Sequence, residues 1–247
     1  MEKPIKQLQN NQTWLHQKLK FLYSNKVGGT EEVTMQIKGK KYRIDVLDKQ
    51  KTTAYEIHRS NFGTRFSEKI KELLQLPELK IVIVHPLVLK QKVTRMKQGE
   101  ILGISHIKKF GDIYSLFEKL VYFKTEFVPT RMEFDILFII EHVLKEFVGF
   151  REKSGRRRYK IVQRDLINIQ ETKKFCMRSD FVNLLPLGLP KVFTNQDLAE
   201  RLEIHGGKRR KHRIPGCMTY SLCKLGILSR VGMRGRAHEF MVNNLCV

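Results

Sequence analysis

The spacing of apolar residues changes character twice within the first 84 positions, and this limits the fold more than any other feature of the chain. Over residues 5–24, Ile5, Leu8, Leu15, Leu19 and Leu22 fall near one helical face. After Gly28-Gly29 the period becomes two. Val33, Met35 and Ile37 alternate with polar residues, Gly39-Lys40 marks a turn, and Tyr42, Ile44 and Val46 share the next strand's apolar face. A third strand follows, with Ala54, Glu56 and His58 on one face and Tyr55 and Ile57 on the other. Phe62, Phe66, Ile70, Leu73 and Leu74 return to helical spacing, and Pro77 stops that helix. Ile81-Val82-Ile83-Val84 is continuously apolar, as in a strand covered on both faces. Helix, three strands, helix and strand together predict an α+β fold with a mixed sheet flanked by helices.

Farther along the signal weakens. Residues 87–110 are basic and poorly patterned, and 112–124 predict an amphipathic helix through Ile113, Leu116, Phe117, Leu120 and Val121. Met132, Phe134, Ile136, Phe138 and Ile140 alternate as in a strand, although Phe134, Leu137, Phe138 and Glu141 also suit a helix; the alternation favours the strand. Residues 152–158 read as a basic loop carrying Arg156, Arg157 and Arg158. A short helix over 180–185 takes Ser179 as its cap, and Pro186-Leu187-Gly188-Leu189-Pro190 marks a boundary between lobes. Three segments result: 1–110, 111–190 packing on or extending the first, and 191–247.

Charge restricts the partners. The chain carries 47 Lys+Arg against 25 Asp+Glu, a formal net charge of +22, and such a surface attracts polyanions, duplex DNA above all. An acidic membrane surface is the plainer rival. A hydrophobic share of 41% argues against a wholly disordered chain. The longest apolar run, 136–140, falls far short of the roughly 20 residues of a membrane span, and Met1-Glu2-Lys3-Pro4 opens no secretory signal. The expectation is therefore a protein of the prokaryotic cytoplasm, associated with the nucleoid. Cys176, Cys217, Cys223 and Cys246 are too few and too irregular for a disulfide framework. Cys217 and Cys223 with His205 and His212 match no standard zinc spacing.

In the last segment Thr194 caps a helix, with Asp197 three residues on and Leu198 and Leu202 on one face. Gly206-Gly207 breaks it, 208–213 form a basic turn, and Pro215 opens a second helix packed through Met218, Leu222 and Leu225. If that helix starts earlier, Pro215 must kink or shorten it. Segments 228–231 and 237–242 flank a basic, Gly-rich hairpin tip. The pattern from Phe193-Thr194 through Ala199 and Tyr220 to Leu225-Gly226-Ile227 resembles a winged helix-turn-helix domain. The resemblance implies a second helix in the major groove and a wing on the backbone or minor groove. Lys208, Arg209, Arg210, Lys211 and Arg213 then become phosphate contacts, and Arg234 and Arg236 wing contacts. Ser221 becomes a base-facing candidate and Tyr220 a core residue, while Arg156, Arg157 and Arg158 add a second basic patch for DNA. The plainer alternative is a winged helix that contacts protein.

The first segment holds the candidate chemistry. Residues i and i+2 of a strand face the same way, so Glu56 and His58 share a face, and Asp45 on a neighbouring strand can meet Glu56 across the ladder. Two adjacent carboxylates suit a hard divalent cation such as Mg²⁺, which can generate hydroxide and neutralise phosphate charge. The alternative is three solvated residues on an open sheet face. Asp45 followed by Glu56-Ile57-His58 resembles the PD-(D/E)xK superfamily of restriction-endonuclease-like nucleases, with His58 where that pattern has Lys. The resemblance implies Mg²⁺, or Mn²⁺, held by Asp45 and Glu56, and His58 orienting or deprotonating the attacking water. Glu31 and Glu32 are read as solvated turn residues.

The whole chain also resembles an uncharacterised bacterial and archaeal family that joins a restriction-endonuclease-like lobe to a C-terminal winged helix. Tyr55-Glu56-Ile57-His58-Arg59-Ser60-Asn61-Phe62-Gly63, Val84-His85-Pro86-Leu87, Leu184-Leu185-Pro186, Phe193-Thr194 and Arg234-Gly235-Arg236-Ala237 carry the likeness. That family usually has Gln where His58 stands. The expected function is a DNA-binding, Mg²⁺-dependent endodeoxyribonuclease, working as a homodimer or with a partner subunit because one site cuts one strand. The alternatives are a non-catalytic DNA-binding regulator or mobile-element accessory with a degenerate nuclease lobe, and the end-cleaving subunit of a transposition system.

Overall fold

A computed structural model describes residues 14–107, 111–152, 154–204 and 207–243. Ile5, Leu8, His205 and Cys246 lie outside the described residues. Helix α1 (Trp14–Val27) leads into an antiparallel meander of β1 (Thr30–Ile37), β2 (Lys40–Leu47) and β3 (Thr53–Ile57). Helix α2 (Thr64–Leu73) then carries the chain over to β4 (Lys80–Lys97), which lies parallel to β3. These boundaries follow the period changes in the sequence closely, because each change coincides with a Gly or Pro break.

The middle of the chain departs from expectation. Residues 87–107, poorly patterned in sequence, are strands: β4 runs on to Lys97 and turns into β5 (Glu100–Ile107), antiparallel to it. The helix expected over 112–124 is shorter, a 3-10 turn (Ile113–Leu116) and α3 (Phe117–Leu120). The strand reading of 132–142 is what the structure has, extended to β6 (Met132–Phe150). After the basic loop, β7 (Arg157–Phe175) returns antiparallel to β6. The sheet order is β1-β2-β3-β4-β6-β7, with β5 on the far half of the β4 edge that β3 occupies nearer its start. The long strands escaped the periodicity because charged residues interrupt any alternation in their far halves, where exposed and half-buried side chains outnumber buried ones.

Alternation across the sheet separates two cores. Val46, Ile57, Val82, Val84, Leu137 and Ile139 pack under Leu15, Leu19 and Tyr23 of α1. Ile44, Ala54, Ile81, Ile83, Phe134 and Ile136 pack on the other face with Phe62, Ile70 and Leu73. That second core continues through Leu116, Phe117 and Leu120 into the C-terminal helices. Helix α4 (Arg178–Val182) begins two residues earlier than expected; Met177, not Ser179, is its cap residue, and Asp180 accepts the Cys176 and Met177 amides.

The C-terminal part has β8 (Phe193–Thr194), α5 (Asn195–Arg201), α6 (Lys208–Lys224), β9 (Leu228–Arg234) and β10 (Ala237–Val242), with sheet order β8-β10-β9. Thr194 and Asp197 cap α5 reciprocally, as the sequence indicates. Helix α6, by contrast, does not start at Pro215. It starts at Lys208 behind Gly207 and runs through the proline, so the basic run forms its first turns. Pro215 removes one main-chain donor, and burial of Ile214, Met218 and Leu222 on the same helix outweighs that loss.

Candidate functional site

Val46 pairs with Tyr55 and Leu47 with Ala54, so Asp45 and Glu56 are next in register. The ladder stops there. Asp45 Oδ2 accepts the Ile57 amide at 2.9 Å, in place of a main-chain carbonyl. His16 Nε2 of α1 lies 3.3 Å from the same oxygen and 3.0 Å from the Ile57 carbonyl. Facing Asp45 on β1, Glu32 takes a left-handed φ of 57°. The expected common face of Ile44 and Val46 is therefore lost: Ile44 packs on the α2 side and Val46 on the α1 side.

Glu56 turns to α2. It is 2% exposed, and its Oε2 lies 2.5 Å from Lys69 Nζ, which also donates to the Arg43 carbonyl. Burial pushes the Glu56 carboxyl up to about 7 against the pull of Lys69. Burial acts upward on Asp45 too, but the His16 hydrogen bond and charge, with Lys69 and the Ile57 amide, hold it below the ordinary carboxylate value. His58 follows the end of β3 and shares the α2 side with Glu56. Its ring stacks on Phe66 at 4.0 Å between centroids, and its Nε2 is 2.9 Å from the Asn61 carbonyl. Burial lowers the His58 pKa. His85, reached through the His58 carbonyl at 2.6 Å, is pushed down to about 4 by burial.

The three predicted residues are thus neighbours but not one constellation. Asp45 is held by α1 and the β3 backbone, Glu56 by α2, and these helices lie on opposite faces of the sheet. The group implied by the nuclease resemblance is Mg²⁺, and the side chains as arranged do not fit it. Glu56 Oε2 takes the Lys69 ammonium and Asp45 Oδ2 takes the Ile57 amide, each held from an opposite face of the sheet; Glu56 Oε1 is the one buried oxygen of the pair left without a hydrogen-bond partner. Among the described residues no group of three His, Cys, Asp or Glu side chains is placed to hold a metal ion. Lys69 escaped sequence reasoning because nothing in its surroundings distinguishes it from the other lysines of a surface helix.

Buried acids recur along the sheet, each beside a cation. Glu133 lies 2.7 Å from Lys80 and 3.0 Å from Lys174, whose hydrogen bonds and charges outweigh burial and bring its carboxyl to about 2. Asp135 accepts the Tyr23 hydroxyl at 2.7 Å and lies 3.9 Å from Lys174. Glu141 accepts Arg164 at 2.7 Å and Gln91 at 2.6 Å. Ion pairing of sheet carboxylates is general in this fold, and Glu56–Lys69 is one instance of it.

The helical register of α6 sorts the basic run. Arg210 donates twice to Asp112, at 2.8 and 2.6 Å, and so turns toward the first lobe, while Arg213 pairs with Glu118 but stays exposed. Ser221 is also turned inward: it is buried and donates to the Phe117 carbonyl at 3.5 Å. Lys208, Arg209 and Lys211 are exposed. Tyr220 is not a core residue; it is half-exposed, with Lys224 5.7 Å from its ring. On the hairpin Arg234 is tied to Asp197 and Glu239 at 3.1 and 3.0 Å, whereas Arg236 sits exposed at the tip. Arg156, Arg157 and Arg158 are exposed at the β6–β7 turn.

Among known proteins, the chain is similar to an "Uncharacterized protein" of Treponema pallidum (strain Nichols), 25% identical over 193 residues, which covers 76% of this chain and 72% of the relative. No solved structure matches. A protein-family model matches residues 13–176, from the start of α1 to the end of β7. The chain therefore belongs to the family described as Domain of unknown function (DUF8091).

Proposed function

We propose that this chain binds duplex DNA through its C-terminal part, used as a winged helix-turn-helix, and that the acid pair of the first lobe is structural. The observation that carries the reading is the sorting of charge on α6. Arg210, half-buried on Asp112, fixes the helix to the first lobe, with Arg213 paired to Glu118 at the surface, which leaves Lys208, Arg209 and Lys211 facing outward at its N-terminal end and Arg236 at the hairpin tip. Cations placed at a helix N-terminus and at a hairpin tip match the two places where such a unit meets phosphates. This reading corresponds to a non-catalytic regulator or accessory protein.

Binding is checked by titrating a labelled duplex across salt concentrations. Affinity is expected to fall steeply, and replacing Lys208, Arg209, Lys211 and Arg236 by Ala should flatten the log–log slope by about 0.9 for each phosphate no longer neutralised. Arg210→Ala should instead weaken the fold more than the salt slope. A slope that the fourfold variant leaves unchanged removes the reading. The hydrolase alternative needs Lys69 to leave Glu56, and its check is plasmid nicking with Mg²⁺ or Mn²⁺. No cutting is expected; cutting that Asp45→Ala abolishes would replace this proposal with the nuclease.

A further inference from the structure

The far end of the main sheet is a second, differently built surface. Arg95 pairs with Lys145 across β4–β6, Lys145 with Ile161 and Phe147 with Tyr159 across β6–β7, so these side chains rise from one face. The Phe147 and Tyr159 rings lie 5.8 Å apart and Phe147 and Phe150 5.3 Å apart, both edge-on. The Arg95 guanidinium lies 5.9 Å from the Tyr159 ring and Lys97 Nζ 5.7 Å from Phe147. Phe150 is 63% exposed. Arg95, Lys145, Phe150, Tyr159 and Ile161 line an open cavity of about 1010 Å³, with Phe147 beneath Phe150 and Tyr159. Among the described residues lining it are five cations, Arg95, Lys145, Arg151, Arg157 and Arg158, and one carboxylate, Glu152.

We propose that this surface binds a single-stranded nucleic acid, with bases stacked on Phe150 and Tyr159 and phosphates held by the surrounding arginines. The five-to-one charge ratio selects a polyanion. The aromatic cluster selects one with free bases. A duplex hides its base faces, and an acidic peptide or lipid headgroup has no stack of rings to offer, whereas every unpaired base does. Aromatic rings spaced among cations on a sheet are the usual means of binding single strands. The site lies on the order of 30 Å along β6 from Glu141, by nine residues of strand rise. Glu141 lines a different cavity, with Arg210 and Arg213 of α6, so the site is separate from α6 and the inference does not rest on duplex binding there.

The experiment measures fluorescence anisotropy of the full chain with labelled oligothymidylate of about twenty nucleotides. The matching RNA, a duplex and phosphatidylserine vesicles serve as further arms. Phe150→Ala and Tyr159→Ala should each weaken single-strand binding about tenfold, while Phe150→Trp keeps it and duplex affinity is unchanged. Phe150 is mostly in solvent, so its variant tests the ring without threatening the fold. The DNA and RNA arms show which single strand is preferred. Absence of single-strand binding overturns the proposal. So does binding that ring removal leaves intact, or vesicle binding abolished in the same variants. Duplex binding that the Lys208, Arg209, Lys211 and Arg236 variant leaves unchanged would strike the C-terminal reading and leave this one standing.

Discussion

As pH rises from 4.5 to 8, the stability of the Glu56→Gln variant relative to that of the wild type is expected to grow by about 3 kcal/mol. The carboxyl has an ordinary value near 4.5 and is pushed to about 7 in the fold, chiefly by burial. Between those values the folded state holds the proton and the unfolded state does not. Stability therefore falls as pH rises through this window, and stops falling above 7. Below pH 4.5 both states are protonated and Gln is a close mimic. The wild type alone should show a shallow profile, because His85 runs the other way. Its pKa is lowered from 6.5 to about 4 by burial, so the unfolded state holds the extra proton and stability rises over much of the same range. The measurement is chemical denaturation of both proteins at several pH values. A difference between them that is flat with pH would show that Glu56 is not perturbed by burial.

Lys69 sharpens the same prediction. Removing one partner of a buried pair costs about 3–5 kcal/mol, since the remaining charge is left in a poor solvent. Lys69→Met should therefore destabilise the protein strongly at pH 8 and much less at pH 5, where Glu56 takes up a proton. The Glu56→Gln, Lys69→Met double variant should recover most of the loss, giving a favourable coupling energy in a double-mutant cycle. A pair that served only as the resting state of a metal site would instead respond to Mg²⁺, with stability rising as the ion is added.

What the sequence made legible follows from how local each signal is. The meander and α2 were readable because Gly28, Gly39 and Pro77 punctuate clean changes of period. The juxtaposition of Asp45 with Glu56 was readable from register alone, and the register places them so. What each carboxylate does there was not, because the answer comes from His16 and Lys69, one on each flanking helix. The same applies to α6. Six consecutive residues, five of them Lys or Arg, look equally available in a turn, but on a helix Arg210 falls half-buried beside the side of Ile214 and Met218, while Arg213 stays exposed and paired with Glu118. Proline at 215 suggested a start, and tertiary packing overrode it. The far half of the sheet was least legible. Exposed and half-buried side chains outnumber buried ones in its strands, and charged residues interrupt them, so no alternation marks them.

The C-terminal part is expected not to fold as an isolated piece, even though its strands and helices form a complete local pattern. Its helix α6 packs against α3, where Ser221 donates to the carbonyl of Phe117, 104 residues upstream, and against the preceding 3-10 turn through Arg210 and Asp112. Phe117 is fully buried and belongs to one continuous core with Ile214, Met218 and Leu222. A segment as short as 191–247 buries only about 60% of the surface its unfolded chain exposes, which leaves little margin for losing that partner. Far-ultraviolet circular dichroism of 191–247 should therefore lack a cooperative transition, and a version that restores 111–124 through a flexible linker should regain one. In the intact chain Phe117→Ala should cost about 3–5 kcal/mol through the cavity it leaves. It should lower a single, shared unfolding transition rather than split off an early one, because the core is continuous from the sheet into the C-terminal helices. Two separated transitions in that variant, or a stably folded 191–247, would mean that the C-terminal unit is independent. Duplex binding would then be separable from the sheet, and Arg210 and Arg213 would be free to turn toward DNA.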